Sequence, residues 1–157
     1  AGRAAALPVA ARHHRQTGAD SLNPTIRGGC LCGSLRYTAQ GAPTNSGLCF
    51  CADCRKASGG AGIGFMGFSS SALTFSGAAQ QYVSKSARGG DAVRNFCPVC
   101  GSLVFGGIVG TDTDHTIYAG SLDDPAVFAP QIVIFNRDRP LWAPLPTGLT
   151  VFDAMPD

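Results

Sequence analysis

The sequence predicts a single domain of mostly β structure, and three observations support this prediction. The chain has 157 residues, 45% of them apolar, which is enough for one hydrophobic core and too few for two full domains. Its 21 glycines and 10 prolines exceed the usual combined share of about 12% and favour a fold rich in turns. Short apolar or alternating runs are separated by Gly, Pro and Ser, as is typical of short strands. No stretch has the 3.6-residue apolar period of a long helix, so we expect antiparallel β sheets.

The predicted elements begin at residue 26 and continue to the C-terminus. One short helical turn is predicted over residues 52–58. The predicted strands lie at residues 34–38, 63–68, 72–75, 81–84, 93–96, 103–105, 116–119 and 131–135. Residues 1–25 combine an Ala/Arg bias with no acidic residue before Asp20, and we interpret them as a flexible N-terminal extension, either a cloning remnant or a processed end. Residues 26–157 form the domain, and the many apolar side chains of residues 140–157 predict that this Pro-rich segment packs on the body.

Charge and hydropathy argue against nucleic acid and membrane as partners. The formal net charge is +2, but three arginines and one aspartate in residues 1–20 account for it, which leaves nine basic and nine acidic residues in 21–157. A nucleic-acid binder is expected to have a clustered basic face. No apolar run reaches the roughly 18 residues that a membrane span needs. The chain contains no glutamate, so any carboxylate chemistry depends on Asp.

Seven cysteines in three short clusters form the most informative pattern in the sequence. The clusters are Cys30/Cys32, Cys49/Cys51/Cys54 and Cys97/Cys100. An odd count at such short spacing is unlike a secreted disulfide framework. Cysteines separated by one to four residues on a tight turn direct both sulfur atoms at one zinc ion, and glycines flank the first and last clusters. The pattern therefore predicts zinc binding in a reducing compartment, which we expect to be the cytoplasm.

Seven thiol ligands divide into a closed site of four and a site of three whose fourth position is open, the arrangement that a zinc catalyst needs. In the partition we favour, the compact triplet of Cys49, Cys51 and Cys54 holds one ion, and the first and last clusters share the other. A competing partition joins Cys51 and Cys54 with Cys97 and Cys100 in a zinc-ribbon-like site. Spacing alone leaves both partitions open.

Four segments together resemble the glutathione-dependent formaldehyde-activating enzyme (GFA) family, which also includes centromere protein V. They are GCLCGSLRY at 29–37, CFCADCRKASG at 49–59, FCPVCGS at 96–102 and GSLDDP at 120–125. The resemblance implies a β-tent of short antiparallel sheets built around two zinc ions per chain. It also implies a structural zinc held by Cys30, Cys32, Cys97 and Cys100 and a catalytic zinc held by Cys49, Cys51 and Cys54. One position departs from the family pattern, because Phe50 stands where members often have His.

The leading functional hypothesis is a zinc-dependent carbon–sulfur lyase that acts on adducts of a small thiol with an aldehyde, such as the glutathione–formaldehyde adduct. The first alternative is a non-catalytic, zinc-stabilised binding module, for which the neutral charge of residues 21–157 offers no nucleic-acid face. The second alternative is a redox enzyme, which needs a free nucleophilic cysteine. None remains if both zinc sites form.

The charged side chains next to the triplet have two interpretations each, one functional and one structural. Arg55 and Lys56 are candidates for binding a carboxylate of the thiol substrate, although a charged pair on a helical turn is also a common solvated feature. Asp53 is a candidate partner of a metal ligand, but we interpret it as a helix cap.

Other polar and aromatic residues are assigned structural roles. Asp123 and Asp124 precede a proline and are predicted to shape a turn. His115 is predicted to be an ordinary surface residue. The aromatic residues predicted to lie in the core are Phe65, Phe68 and Trp142.

Overall fold

The structure, a computed structural model, describes residues 24–86 and 89–156. Within them lie one α-helix, α1 (Ala52–Ser58), four single-turn 3-10 helices and eleven strands. The strands are β1 (Thr25–Gly29), β2 (Arg36–Gln40), β3 (Asn45–Cys49), β4 (Ile63–Ser69), β5 (Leu73–Ser76), β6 (Gln80–Lys85), β7 (Asp91–Phe96), β8 (Leu103–Gly106), β9 (Asp114–Tyr118), β10 (Ile132–Ile134) and β11 (Thr150–Val151). The predicted mostly β class is confirmed. The extension predicted for residues 1–25 lies outside the described residues as far as residue 23, and β1 begins at Thr25. No helix in the described part of the chain has the length and hydropathy to cross a membrane.

The strands form two sheets. The small sheet has the order β1-β2-β5, and the large sheet has the order β11-β10-β3-β4-β9-β8-β7-β6. The expected antiparallel pairing is not met at one edge of the large sheet, because β10 runs parallel to both β3 and β11. The parallel pairing of β10 with β3 follows from the path of the chain, which returns through residues 119–131 and enters β10 beside β3. Ile134 thereby becomes the cross-strand partner of Cys49.

The main core lies between the small sheet and the centre of the large sheet. Alternate residues of each strand point into it, as the two-residue period of a strand requires. Its buried members include Ile26, Leu35, Tyr37, Ala39, Met66, Phe68, Val104, Phe105 and Ile117. The opposite face of β3, β4 and β9 is thus free to form the wall of a cavity.

His115 belongs to this core, so its prediction as a surface residue is wrong. It is only 4% exposed, and its Nδ1 lies 3.2 Å from the carbonyl oxygen of Gly106. The ring meets Phe75 and Phe105 edge-on. A Cβ at position 107 would come within 2.6 Å of Nδ1, so the glycine found there provides the space that the imidazole occupies.

The C-terminal segment packs on the large sheet, as predicted. Thr150–Val151 adds a strand beside β10, and Ala143 packs with Phe50 and Val133 in a second, smaller core. Trp142 does not follow the prediction, since 70% of it is exposed. The neighbouring alanine is the residue that faces inward.

Candidate metal centres

Two tight turns bring four cysteines together. Cys30 and Cys32 lie in the turn between β1 and β2, and Cys97 and Cys100 lie in the turn between β7 and β8. All four sulfur atoms lie within 4.8 Å of one another, with Cys30 and Cys32 Sγ 3.5 Å apart and Cys32 and Cys97 Sγ 3.7 Å apart. We call this group the four-cysteine cluster.

Glycine makes both turns tight enough to present their sulfur atoms to one point. Gly33 and Gly101 have φ values of 78° and 72°, in the left-handed region that glycine enters at little cost. Their amides donate to the carbonyl oxygens of Cys30 and Cys97, at 3.1 and 2.8 Å. Each turn thus uses a left-handed glycine whose amide bonds back to its first cysteine, over three residues in one turn and four in the other.

Hydrogen-bond donors in these turns favour ionised sulfur. The amide of Leu35 donates to Cys30 Sγ at 3.2 Å, and Ser102 Oγ lies 3.2 Å from Cys100 Sγ. The hydrogen bond from Ser102 lowers the pKa of Cys100, because it stabilises the thiolate more than the thiol. Zinc takes cysteine as the thiolate, so these contacts prepare the cluster for a metal ion.

The remaining three cysteines form a second group, the three-cysteine cluster. Cys49 is the last residue of β3, Cys51 is the N-cap of α1, and Cys54 lies in the first turn of that helix. Their sulfur atoms also lie within 4.8 Å of one another. The amide of Cys54 donates to Cys51 Sγ at 3.4 Å. The cap predicted for Asp53 is therefore supplied by a cysteine, and Asp53 is the second residue of the helix.

Close contact among the three sulfur atoms separates their pKa values. Hydrogen bonds with Cys49 and Cys54 lower the pKa of Cys51, while the hydrogen bond with Cys51 raises the pKa of Cys49. Hydrogen bonding to Cys49 and Cys51 raises the pKa of Cys54 as well. Cys51 is thus the sulfur that ionises first.

Glycines behind the three-cysteine cluster fit α1 closely against β4. Gly59 ends the helix with a left-handed φ of 66°. A Cβ on Gly62 would meet the carbonyl oxygen of Cys49 at 2.4 Å. The glycine-rich segment at 59–62 is accordingly a helix stop followed by a close backbone approach beside the candidate metal site.

A cavity of about 620 Å³ opens beside the three-cysteine cluster, with Cys49 and Cys54 in its wall. Its floor consists of residues from β3, β4 and β9 that face away from the main core. Apolar side chains in the wall are Ile63, Phe65, Ile132, Ile134 and Met155. Polar ones are Asn45, Asp91, Asp112, Asp114, Thr116 and Tyr118. This combination of apolar surface and a few polar groups is typical of small-molecule sites.

Tyr118 is the functional candidate that sequence reasoning missed. Burial raises its pKa from the ordinary 10 to about 12, which moves it still further above neutral pH, so the protonated hydroxyl is available to donate a hydrogen bond to a ligand in the cavity. The one signal for it in the sequence is strand alternation. His115 and Ile117 face the core, which places Thr116 and Tyr118 on the cavity side.

Both cysteine clusters have dimensions that suit zinc. Tetrahedral coordination with Zn–S bonds of about 2.3 Å requires sulfur atoms roughly 3.8 Å apart, which agrees with the spacing of 3.5 and 3.7 Å in the four-cysteine cluster and with the 4.8 Å limit in both groups. Two groups of cysteines that could each hold a metal ion are therefore present. The competing partition fails on position, because Cys51 and Cys54 are grouped with Cys49 and not with the 97–100 turn.

The basic pair after the triplet lies outside the large cavity. Arg55 and Lys56 are exposed residues in the last turn of α1. Lys56 lines a separate cleft, which lies against a different face of the helix from Cys54. Phe50 packs with Val133 and Ala143, on the side of β3 opposite to Cys49, so its ring does not enter the cavity.

Comparisons with known proteins agree with the motif pattern. The family model of the glutathione-dependent formaldehyde-activating enzyme matches residues 25–138, which confirms the resemblance found in the sequence. A crystal structure of a Rhodobacter sphaeroides protein is similar at 19% identity and a TM-score of 0.46, over 62% of this chain and 87% of that one. No curated protein sequence matches the chain.

Proposed function

The chain belongs to the family of glutathione-dependent formaldehyde-activating enzymes, and we propose that it is a zinc-dependent carbon–sulfur lyase acting on adducts of a small thiol, such as glutathione, with formaldehyde. The observation that carries the proposal is the three-cysteine cluster in the wall of a 620 Å³ cavity. A group of three thiolates leaves a fourth coordination position for a ligand from that cavity. The four-cysteine cluster has no such vacancy.

In this proposal each cluster holds one zinc ion. Cys30, Cys32, Cys97 and Cys100 hold a structural ion, and Cys49, Cys51 and Cys54 hold a catalytic one. When bound, the second ion supplies Lewis acidity and an affinity for thiolate sulfur. The apolar part of the wall, including Phe65 and Ile134, keeps bulk water away from the reacting carbonyl group and so strengthens polar interactions made with it.

The reaction forms or breaks one carbon–sulfur bond. In the forward direction the thiol sulfur attacks the carbonyl carbon of formaldehyde, and the thiol proton ends on the oxygen as the hydroxyl of the hydroxymethyl thioether. The reverse step returns the free thiol and the aldehyde, so no oxidant or reductant is consumed. We assign to the protonated Tyr118 hydroxyl a hydrogen bond to this oxygen, which gains negative charge as the bond forms.

The proposal is tested by the rate at which ¹³C-formaldehyde exchanges with its glutathione adduct, measured by NMR exchange spectroscopy. We expect zinc-loaded protein with two ions per chain to accelerate the exchange. Cys51→Ser should bind one ion and return the rate to its uncatalysed value, and Tyr118→Phe should keep both ions and lose about tenfold or more in rate.

Two outcomes would overturn the proposal. One is wild-type protein with both ions bound that leaves the exchange rate unchanged, a result that would favour the non-catalytic binding module. The other is full acceleration by Cys51→Ser with a single ion, because the three-cysteine cluster would then have no part in the reaction.

A further inference from the structure

A second cleft, of about 270 Å³, lies against a different face of α1 from the large cavity, whose wall includes Cys54. It is lined by Asp53, Lys56, Ala57, Tyr82, Ser84 and Arg94, and we call it the Arg94 cleft. The first three residues share one face of the helix, since they are three and four positions apart. The others come from one face of β6 and β7, where Tyr82 is the cross-strand partner of Arg94.

Arg94 is a buried cation whose charge is not neutralised within the described residues. The residue is only 9% exposed, and its Nη1 donates to the neutral hydroxyl of Ser84 at 2.9 Å. The ion pairs found in residues 24–86 and 89–156 join Arg36 to Asp123, Lys85 to Asp91 and Arg137 to Asp138. Asp53 also lines the cleft but forms none of these pairs. An anionic ligand in the cleft would supply the counter-ion that this guanidinium lacks among the ion pairs of the described residues.

The Arg94 cleft adjoins the cavity that contains the three-cysteine cluster. Arg94 is the direct cross-strand partner of Gly106, and Gly106 lines the large cavity. A Cβ at Gly106 would lie 3.1 Å from the hydroxyl of Tyr118. The tyrosine hydroxyl therefore lies next to Gly106, where the Arg94 cleft and the large cavity approach each other. Glycine at this position keeps that point uncovered.

The separation between the cleft and the candidate metal site suits a small thiol acid. Lys56 and Ala57 follow Cys54 by two and three residues on the same helix, and a helix rises about 1.5 Å per residue. The lysine is therefore within one helical turn, about 5.4 Å of rise, of a sulfur in the cluster. Cysteinyl peptides carry a carboxylate a few bonds from their sulfur.

We propose that Arg94, assisted by Lys56, forms a carboxylate subsite that orients the thiol substrate while its sulfur is held at the three-cysteine cluster. The subsite rests on the proposed function for its biological use, but its chemistry is independent of the metal. Guanidinium presents parallel N–H donors that match the two oxygens of a carboxylate, and the lysine ammonium adds a point charge at the rim. The role predicted for Lys56 stays a prediction, and Arg94 adds a buried cation that no motif in the sequence singles out.

The experiment is calorimetric titration of zinc-loaded protein with glutathione and with its diethyl ester, which has the same sulfur and no carboxylate. We expect wild type to bind the acid about tenfold or more tightly than the ester, the range of one charge-assisted pair. Arg94→Gln should lose most of the preference and keep only the share that Lys56 contributes, and Arg94→Lys should recover part of the difference. Lys56→Gln should reduce the preference by a smaller factor. Arg27→Gln removes the same charge from an exposed position on the small sheet and should preserve it.

Each result counts for or against the subsite. Equal binding of acid and ester by wild type, or an undiminished preference in Arg94→Gln with both zinc ions bound, overturns it. If Arg94→Gln does not fold, the exposed Lys56→Gln variant decides, and an unchanged preference there overturns the shared site. If neither thiol binds wild type, the proposed function fails, and S-methylglutathione, whose sulfur is blocked, tests the subsite alone. Binding of S-methylglutathione to wild type that is lost in Arg94→Gln supports the subsite. Failure of S-methylglutathione to bind wild type overturns it.

Discussion

The two cysteine clusters use the same ligand atom but connect very different lengths of chain. Cys32 and Cys97, whose sulfur atoms are 3.7 Å apart, are separated by 65 positions in the sequence. The three-cysteine cluster lies between residues 49 and 54, at the junction of one strand and one helix. The first cluster has a full set of four ligands, and the second has three and faces a large cavity. Together with the proposed function, the difference predicts a division of labour, in which the long-range closed cluster secures the fold and the local open cluster performs the chemistry.

The largest expected effect is the loss of the fold when the four-cysteine cluster loses a ligand. Structural zinc contributes on the order of 10 kcal/mol in small domains, which is similar to the entire stability of about 5–15 kcal/mol of a typical domain. Cys97→Ser should therefore be largely unfolded at 25 °C, as measured by circular dichroism with zinc present. Val99→Ser alters the same turn at an exposed position that is not a ligand and should melt like wild type. A wild-type melting curve for Cys97→Ser would remove the basis of the comparison.

A smaller effect on stability is expected at the three-cysteine cluster, where Cys51 also caps α1. Its sulfur accepts a hydrogen bond from the amide of Cys54, and serine is a good N-cap whereas alanine is not. Cys51→Ser and Cys51→Ala should both stay folded and each lose one zinc ion. The alanine variant should melt about 4 °C lower, since a lost cap costs about 1 kcal/mol. Thermal melts with metal analysis measure both effects, and unfolding of the serine variant at 25 °C would show that this cluster is structural as well.

Local signals in the sequence account for most of the fold. The helix predicted at 52–58 has the observed bounds, but its cap is Cys51 and not the predicted Asp53, and a glycine ends it. The strands with clear alternation, such as Gln80–Lys85, were found to within one or two residues. Asn45–Cys49 was missed because Gly47 and the polar residues before it hide the alternation. Its parallel pairing with β10 depends on the chain path and has no local signal.

The candidate site shows the same limit. Spacing predicts that each cysteine turn can hold a metal ion, but it does not reveal which turns meet, and three-dimensional contact is needed to group Cys30 and Cys32 with Cys97 and Cys100. Tyr118 and Arg94 are single polar residues within ordinary strands. Arg94 lies on β7 and Tyr118 on β9, and β8 pairs with both strands, so that they lie on either side of Gly106. The functional interest of these two residues depends on this sheet pairing. Burial of His115 likewise depends on a space left by a glycine eight positions away.

The smallest expected effect concerns an ion pair beside the four-cysteine cluster, between Arg36 at the start of β2 and Asp123 in the loop after β9. Arg36 Nη1 lies 2.9 Å from Asp123 Oδ1, and this hydrogen bond holds the pKa of Asp123 below its ordinary value. A carboxyl group whose pKa is lowered by folding adds stability above its unfolded pKa of about 3.9, and this contribution is lost as pH falls through the folded value. Both side chains are more than one-third exposed, at 37% and 47%, so solvent screening limits the pair to about 1 kcal/mol or less.

Asp123→Asn should therefore melt at most about 4 °C below wild type at pH 7. The difference should shrink towards zero as the pH is lowered below about 4, where wild-type Asp123 becomes protonated as well. Salt at 1 M should also reduce it, because the Debye length falls to about 3 Å. Asp91→Asn breaks the more exposed pair with Lys85, at 55% and 76%, and should have a still smaller effect. A difference for Asp123→Asn at pH 7 that is the same in low salt and in 1 M salt would assign this contact to packing. A difference as large as that of Cys97→Ser would mean that the ion pair, and not the metal site, secures this end of the fold.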